Sequence, residues 1–298
     1  MNTPVLFIIF NRPDTTQKVF DAIRRQKPEY LFVAADGPRP DKQNEREDCE
    51  QTRNIVIQQI DWPCELKTLF RDENLGCKTA VSSAVTWFFD NVEQGIILED
   101  DCLPDSSFFR YCEELLIKYK DDDRIGHIGG NNFLPDFAIG QASYDFCSFA
   151  HIWGWATWRR VWREYDVNFN YWMENSPKSR KNIFNNFLET AYFSSFISDA
   201  IQNRHLNTWD VQYLCMLRLY SKLSVYPSRN LVTNIGLNVP KATHVSRKNS
   251  KLYIPSTSMS FPLEHPKYIC RNKMLDKEIV LTNFFSWTRL LRYFLRKY

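Results

Sequence analysis

The chain has 298 residues, of which 44% are hydrophobic, 24% charged and 15% aromatic, and its formal net charge is +3. That much apolar and aromatic surface buries a core large enough to offset chain entropy, so a coil or low-complexity polymer is excluded and one large domain, or two sharing a core, is expected. The balance of 38 basic against 35 acidic residues argues against a nucleic-acid binder, which carries a clear basic excess.

Met1 to Pro4 leads straight into the apolar run VLFIIF at 5–10, with no basic flank and no cleavage site, which reads as a first strand and not a signal peptide. A helical segment at 15–26 follows, then YLFVAA at 30–35, a helix at 45–60, ELKTLF at 65–70, a helix at 78–89 and GIIL at 95–98. Strands apolar on both faces, separated by helical connections, predict a parallel α/β sheet covered on both sides. Ligands in such sheets sit beyond the carboxyl ends of the strands. Four polar sets occupy those positions: Asn11-Arg12-Pro13-Asp14, Asp36-Gly37-Pro38-Arg39, Arg71-Asp72-Glu73-Asn74-Leu75-Gly76 and Glu99-Asp100-Asp101.

The acidic triplet carries the most chemistry. Three carboxylates after a buried strand repel one another unless a cation compensates them, and a divalent metal completed by water and phosphate oxygens is the usual solution. The alternative is an acidic loop ahead of the helix expected at 106–119, for which Asp105 is a suitable N-cap. Asp36 suits a hydrogen bond to a ribose or base edge, or else a plain Asp-Gly turn. No G-x-G-x-x-G and no G-x-x-x-x-G-K-[ST] occurs among only nine glycines, so a Rossmann dehydrogenase and a P-loop ATPase are not expected. Eight cysteines are scattered without a C-x-x-C pair, as expected of reduced, mostly buried thiols in a reducing compartment. No stretch reaches the roughly 18 apolar residues of a spanning helix, so membrane contact is expected to be peripheral.

Asn-Arg-Pro after the first strand, Asp-Gly after the second, Arg-Asp-Glu-Asn-Leu-Gly-Cys-Lys at 71–78 and Ile-Leu-Glu-Asp-Asp at 97–101 together resemble the glycosyltransferase-A fold. The sequence is most similar to bacterial sugar transferases related to the N-acetylglucosaminyltransferases of N-glycan branching. The resemblance covers roughly residues 3 to 245 and implies a Rossmann-like, mostly parallel sheet flanked by helices, with a fused acceptor-binding half. It implies Asp101 as the main Mn2+ or Mg2+ ligand, with Asp100 and Glu99 meeting water, ribose or donor sugar. Asp36 would read the nucleoside, and Asn11 and Arg12 would line the base and phosphate end. Asn74, Leu75 and Gly76 would border the nucleotide, and Arg71 or Lys78 would meet phosphate, although Lys78 also suits a solvated surface charge.

Five of the nine tryptophans fall between Phe146 and Trp172. Trp155, Trp158 and Trp162 recur at helical spacing, the mark of a packed face. In the loop His151-Ile152-Trp153-Gly154-Trp155, glycine allows a sharp turn that would present the flanking indoles to apolar sugar faces, and the family carries a similar Gly-Trp segment beside donor and acceptor sugars. Further on, Thr208 is a candidate N-cap that places Trp209-Asp210 at a helix start, where a carboxylate is stabilised by the helix dipole. In the related transferases a Trp-Asp at a helix start supplies the general base, which makes Asp210 the candidate base and Trp209 a candidate acceptor contact. The resemblance also places a histidine after an Asn-Ile-Gly turn near metal and diphosphate, here His244, with Arg247, Lys248 and Lys251 beyond it.

The last fifteen residues hold four cations, no acid and six aromatics. On a helix, Trp287, Leu290, Leu291, Phe294 and Leu295 share a side, the pattern of an in-plane helix attracted to anionic lipid or of an amphipathic helix docked on the domain. The body without this tail is close to neutral. The organisation expected is therefore a nucleotide-sugar-binding half at 1–140, an acceptor-binding and catalytic-base half at 141–283, and a basic membrane-associating tail at 284–298. The expected activity is a metal-dependent, inverting transfer from a nucleoside-diphosphate donor, UDP favoured, to a cell-surface glycan or lipid-linked acceptor, at the cytoplasmic face of a bacterial membrane. Two rival activities compete with this one. A sugar-1-phosphate nucleotidyltransferase needs a Gly-rich cationic loop after the first strand, and Asn11-Arg12-Pro13-Asp14 does not supply one. A non-catalytic glycan- or lipid-binding module has no need of Glu99-Asp100-Asp101 together with Asp210.

Overall fold

The computed structural model describes residues 1–174, 183–184, 189–190, 193, 197, 207–237 and 252–284. His244, the basic residues at 247, 248 and 251, and the tail from 285 onward lie outside the described residues. Elements alternate in the first half: β1 (Val5–Ile9), α1 (Pro13–Gln26), β2 (Tyr30–Ala35), α2 (Glu45–Gln58), β3 (Glu65–Phe70), α3 (Gly76–Asn91), β4 (Gln94–Glu99). Then come β5 (Cys102–Pro104), α4 (Ser106–Lys118), β6 (Ile125–Gly129), β7 (Tyr144–Cys147), β8 (Trp155–Trp158), α5 (Arg159–Trp162) and α6 (Asn170–Glu174). After these follow α7 (Asp210–Leu219), β9 (Leu223–Pro227), β10 (Val232–Asn234) and α8 (Lys273–Ile279), which continues as a π-turn over Val280–Phe284.

Eight strands form one sheet in the order β3-β2-β1-β4-β8-β6-β9-β7. The fold is mixed α/β with a mostly parallel, helix-flanked central sheet, as expected. β1, β2 and β4 are parallel and apolar on both faces, because helices cover both sides. β3 is the exception. It is parallel to β2 but lies at the sheet edge, and its residues are half-buried or exposed, so the expectation of a strand buried on both faces does not hold there.

The chain steps outward from β1 to β3 and then returns to lay β4 on the other side of β1. That reversal is a topological switch point, where the connections diverge and open a crevice beyond the carboxyl ends. β8 runs antiparallel between β4 and β6, so strands from both sides of residue 140 join a single sheet. β9 is parallel to β6, which puts the carboxyl ends of β6 and β9 on the same edge as those of β1 and β4. A separate antiparallel pair, β5 with β10, covers that edge beside β4.

Local chemistry sets the boundaries. α1 starts with Pro13 at its first turn and ends in a left-handed Lys27, so it opens two residues earlier than the apolar pattern alone suggests. Asp105 caps α4, its carboxylate accepting from Ser107 N at 2.9 Å, as expected. All eight cysteines are free thiols, five of them buried. Among the described residues no helix is long and apolar enough to cross a membrane.

Candidate active site

Arg12 leaves the end of β1 and reaches across the switch point to the residues that end β4. Its Nη1 donates to Asp101 Oδ2 at 2.7 Å and its Nη2 to Asp100 Oδ1. Asp100 is buried, and its second oxygen accepts from Phe10 N at 3.1 Å. Both Asp100 oxygens are therefore committed inward, and the expectation that it touches water, ribose or sugar gives way to an anchoring role. Burial pushes the carboxyls of Glu99 and Asp100 up; for Glu99 the Asp101 and Asp100 charges add to this, while Arg12 opposes it at both. One guanidinium thus faces three carboxyl groups, and ionising all three would leave negative charge uncompensated at low dielectric.

That deficit bears on metal binding. Among the described residues no group of three His, Cys, Asp or Glu forms a metal cage. Asp101 is part-exposed, and among the described residues its Oδ1 receives only the weak thiol donor of Cys102 at 3.5 Å. A hard carboxylate oxygen with spare capacity fits Mg2+ or Mn2+ held by one or two carboxylates and completed by phosphate and water.

The end of β2 is tied to the start of α3. Asp36 Oδ1 accepts from Gly37 N at 3.0 Å and from Leu75 N at 2.9 Å, and Oδ2 accepts from Gly76 N at 3.1 Å. Its carboxylate therefore caps α3 as well as forming the Asp-Gly turn. Asn74 Nδ2 donates to Gly37 O at 2.8 Å, which closes the loop pair, and Gly76 takes a left-handed φ of 76° that favours glycine. Arg71 Nη2 donates to Ser83 Oγ at 2.7 Å on α3, and burial pulls its pKa down. Lys78 has no carboxylate partner among the described residues, while its backbone N donates to Asn207 Oδ1 at 3.3 Å.

The second half enters through α7. Trp209, not Thr208, is the N-cap residue and makes no side-chain capping bond; the Thr208 hydroxyl donates to Asp210 Oδ1 instead. Tyr165 OH fixes the turn by donating to Trp209 O at 3.0 Å. Asp210 lies in the first turn of α7, and its charge is felt at Glu99 and at Cys77. Burial, then Glu99, Asp210 and Asp36, push the Cys77 thiol up to about 12. Cys77 thus sits among the three acidic positions that sequence reasoning singled out separately.

The tryptophans divide differently from expectation. Trp155 is fully buried in β8, stacked between His127 and Trp209 with ring centroids 5.5 Å from each. Trp209 is only 2% exposed. Neither presents a face to a sugar, because together with Trp162 and Tyr213 they make the core between β8 and α7. Trp158 and Trp162 are core residues, as expected, but the packed face comes from a strand and one short helix and not from a single long helix. Trp153 is half-buried and packs edge-on against Phe133 at 5.1 Å. Gly154 adopts a φ of 75°, and a Cβ there would lie 2.7 Å from Val232 Cγ2.

Two features lie outside those expectations: Glu45 as the partner of Asn11 and Arg39, and the turn behind Asp101. Asn11 is buried, and its Nδ2 donates to Glu45 Oε1 at 2.7 Å; Glu45 also accepts from Arg39 N at 2.7 Å. Despite burial, Arg39 holds the Glu45 carboxyl low. Arg39 in turn lies 5.5 Å over the Phe10 ring, so this cluster braces the loop after β1 against the start of α2. Behind Asp101, Ile235 N donates to Asp101 O at 2.8 Å, and Asn234 Oδ1 holds Gly236 N at 2.9 Å. A Cβ on Gly236 would overlap Asp101 Oδ2 and lie 2.9 Å from Arg12 Nη1. The signal available in sequence was the Asn-Ile-Gly turn itself, which pointed to His244 and not to its own glycine.

The sequence matches no protein-family model and no curated protein. Among solved structures the chain is similar to a mannosyltransferase from Pyrobaculum calidifontis in complex with GDP-Man and Mn2+, at 14% identity over 56% of this chain and 49% of that one, with a TM-score of 0.38. This chain therefore spans about half the length of that mannosyltransferase. It is also similar to an apo UDP-glucose pyrophosphorylase, at 10% identity over 79% and 93% of the two chains and a TM-score of 0.40. Mouse xyloside xylosyltransferase 1 in its apo form is 9% identical over 74% and 82%, with a TM-score of 0.36.

Proposed function

We propose that this protein is a metal-dependent, inverting glycosyltransferase that moves a sugar from a nucleoside diphosphate, UDP favoured, to a hydroxyl of a cell-surface glycan or lipid-linked acceptor. The observation that carries the reading is the convergence of Arg12, Glu99, Asp100 and Asp101 at the switch point, with Asp210 delivered to the same acidic neighbourhood from the other half. As the glycosidic bond to phosphate breaks, charge develops on the departing diphosphate. Arg12, held in place by Asp100, is a fixed cation at that end and stabilises it. A divalent metal on Asp101 would supply Lewis-acid stabilisation of the phosphate oxygens when bound.

Asp210 takes the proton of the acceptor hydroxyl as its oxygen attacks the anomeric carbon from the side opposite the leaving phosphate, and attack from that side inverts the centre. Thr208 orients the carboxylate. His244 is assigned as a further metal or phosphate contact through the family resemblance. The basic, aromatic sequence at 284–298 supports a location at the cytoplasmic face of a bacterial membrane, and deleting that segment is expected to abolish co-sedimentation with anionic liposomes; unchanged sedimentation would count against it.

The decisive assay incubates the protein with a panel of nucleotide sugars and Mn2+ and measures released nucleoside diphosphate. Turnover is expected with one donor class, falling by about 10²–10⁴-fold in Asp210→Asn and comparably in Asp101→Ala. Turnover indifferent to both substitutions would sink the mechanism. Pyrophosphate formation from a nucleoside triphosphate and a sugar 1-phosphate would make the protein a nucleotidyltransferase instead.

A further inference from the structure

On the same edge of the sheet, beyond the carboxyl ends of β6 and β9, a second concavity of about 740 Å3 opens between the loop before β7, the turn after β9 and the segment 254–264. Its size falls within the range of small-molecule sites. Backbone ties hold its walls. Ser143 N donates to Glu264 O at 2.8 Å, and Glu264 N donates to Ser143 Oγ at 2.9 Å. Thr257 N donates to Asn230 O at 2.7 Å, Ser256 N to Thr233 Oγ1 at 2.7 Å, and Met259 N to Ser107 Oγ at 2.9 Å. The segment is a fixed strap, so the cleft exists before any ligand arrives and little ordering entropy opposes binding.

The lining is neutral and polar, broken by flat apolar faces. Gln141, Thr257 and Ser260 line it with amide and hydroxyl groups that have no protein hydrogen-bond partner among the described residues. The Ser228 hydroxyl reaches only Met259 Sδ at 3.9 Å. Between these groups lie Pro135, Pro255, Pro262 and Phe261. One cation, Arg229, and one anion, Glu264, complete the lining. A nucleotide needs concentrated positive charge for its phosphates, and a lipid chain needs an apolar wall. Neutral donors and acceptors alternating with flat apolar surface suit a polyhydroxylated ring, which has hydroxyls at its edge and C–H groups on its faces.

We infer that this cleft is a glycan-binding subsite for the non-reacting part of an oligosaccharide acceptor, an assignment that rests on the transferase reading above. β10 links the two places: the chain runs from Asn230 in the cleft wall through β10 to Gly236, which lies against Asp101. The chain from Asn230 to Asn234, before the turn at 235–237, spans roughly 13 Å if extended. A single sugar cannot bridge that distance, so an acceptor engaging both places is several sugars long. Binding energy from this remote end is then available to hold the reacting hydroxyl at Asp210.

The test uses an array of defined oligosaccharides, from mono- to hexasaccharides, free and lipid-linked, probed with the full chain, Arg229→Ala/Gln141→Ala, Ser228→Trp and Asp101→Ala. Retention of oligosaccharides but not monosaccharides is expected, weakened at least about tenfold by the double variant, as losing one or two hydrogen bonds implies. The substitutions at 141 and 229 are at exposed positions, so an unchanged melting temperature accompanies the loss and covers the case in which Ser228→Trp fails to fold. Equal retention of free and lipid-linked forms assigns recognition to the glycan; retention of the lipid-linked form alone, or binding insensitive to the double variant, or no retained glycan overturns the inference. Nucleoside diphosphate release, measured in parallel, separates the two readings: glycan binding that depends on this cleft without donor turnover removes the transferase and leaves the subsite.

Discussion

At the scale of single residues, the site depends on a glycine packed behind its carboxylate and guanidinium. Gly236 closes on Asp101 and Arg12 with no room for a Cβ, while its N–H is held by Asn234. Gly236→Ala must displace the Asp101 carboxylate or the guanidinium that pairs with it. Overpacking of this kind costs about 1–3 kcal/mol, and a misplacement of about 1 Å at a reacting centre costs on the order of 10²-fold in rate. We expect the variant to stay folded, with a modest fall in melting temperature, and to lose donor turnover by about that factor. Turnover near the wild-type level would show that Asp101 is not held from behind by this turn. The sequence made the four polar sets at the strand ends visible, because period and position locate strand ends. It did not reveal which carboxylates face inward. Asp36, Asp100 and Glu45 all spend their oxygens on backbone or guanidinium donors, and such commitments depend on loops that meet only in three dimensions.

At the scale of elements, the strands were legible where both faces are apolar. YLFVAA coincides with β2 and GIIL lies within β4, since a strand of alternating Cβ directions between two helical layers tolerates few polar residues. The second half was less legible. Trp155 and Trp158 at three-residue spacing mimic a helix face but lie on β8, because that strand is inserted antiparallel between β4 and β6 and both its faces meet core. Trp155, His127, Trp209 and Tyr213 then stack across β6, β8 and α7. This stack fixes the start of α7, and with it the position of Asp210. Trp155 and Trp209, expected as sugar or acceptor contacts, serve the site indirectly by holding the element that carries the candidate base, while Trp153 packs apart from them against Phe133.

At the scale of the whole molecule, the same stack makes folding sensitive to acid. His127 is fully buried, with Nε2 3.1 Å from His151 O and Nδ1 3.4 Å from Tyr213 OH. A neutral ring that donates at Nε2 and accepts at Nδ1 fits both contacts, sharing the Tyr213 hydroxyl proton with Gly126 O at 3.3 Å. Burial pulls its pKa down to about 3, and pulls His151 down to about 4, against about 6.5 in an unfolded chain. Between these values the unfolded state binds protons that the native state does not, so stability is fully present above pH 6.5 and is lost as pH falls. Each histidine then costs about 2 kcal/mol at pH 5, a large share of a typical stability of about 5–15 kcal/mol. Glu99 and Asp100 act in the opposite sense, because their raised native pKa values favour the folded state as pH falls, so the histidine contribution is read by difference. We expect urea unfolding of His127→Gln to lose about 2 kcal/mol less than the wild type between pH 7.5 and 5, since glutamine does not titrate and its amide can still donate to His151 O. Parallel losses in the two proteins would mean that His127 takes up its proton without unfolding the core around Trp155.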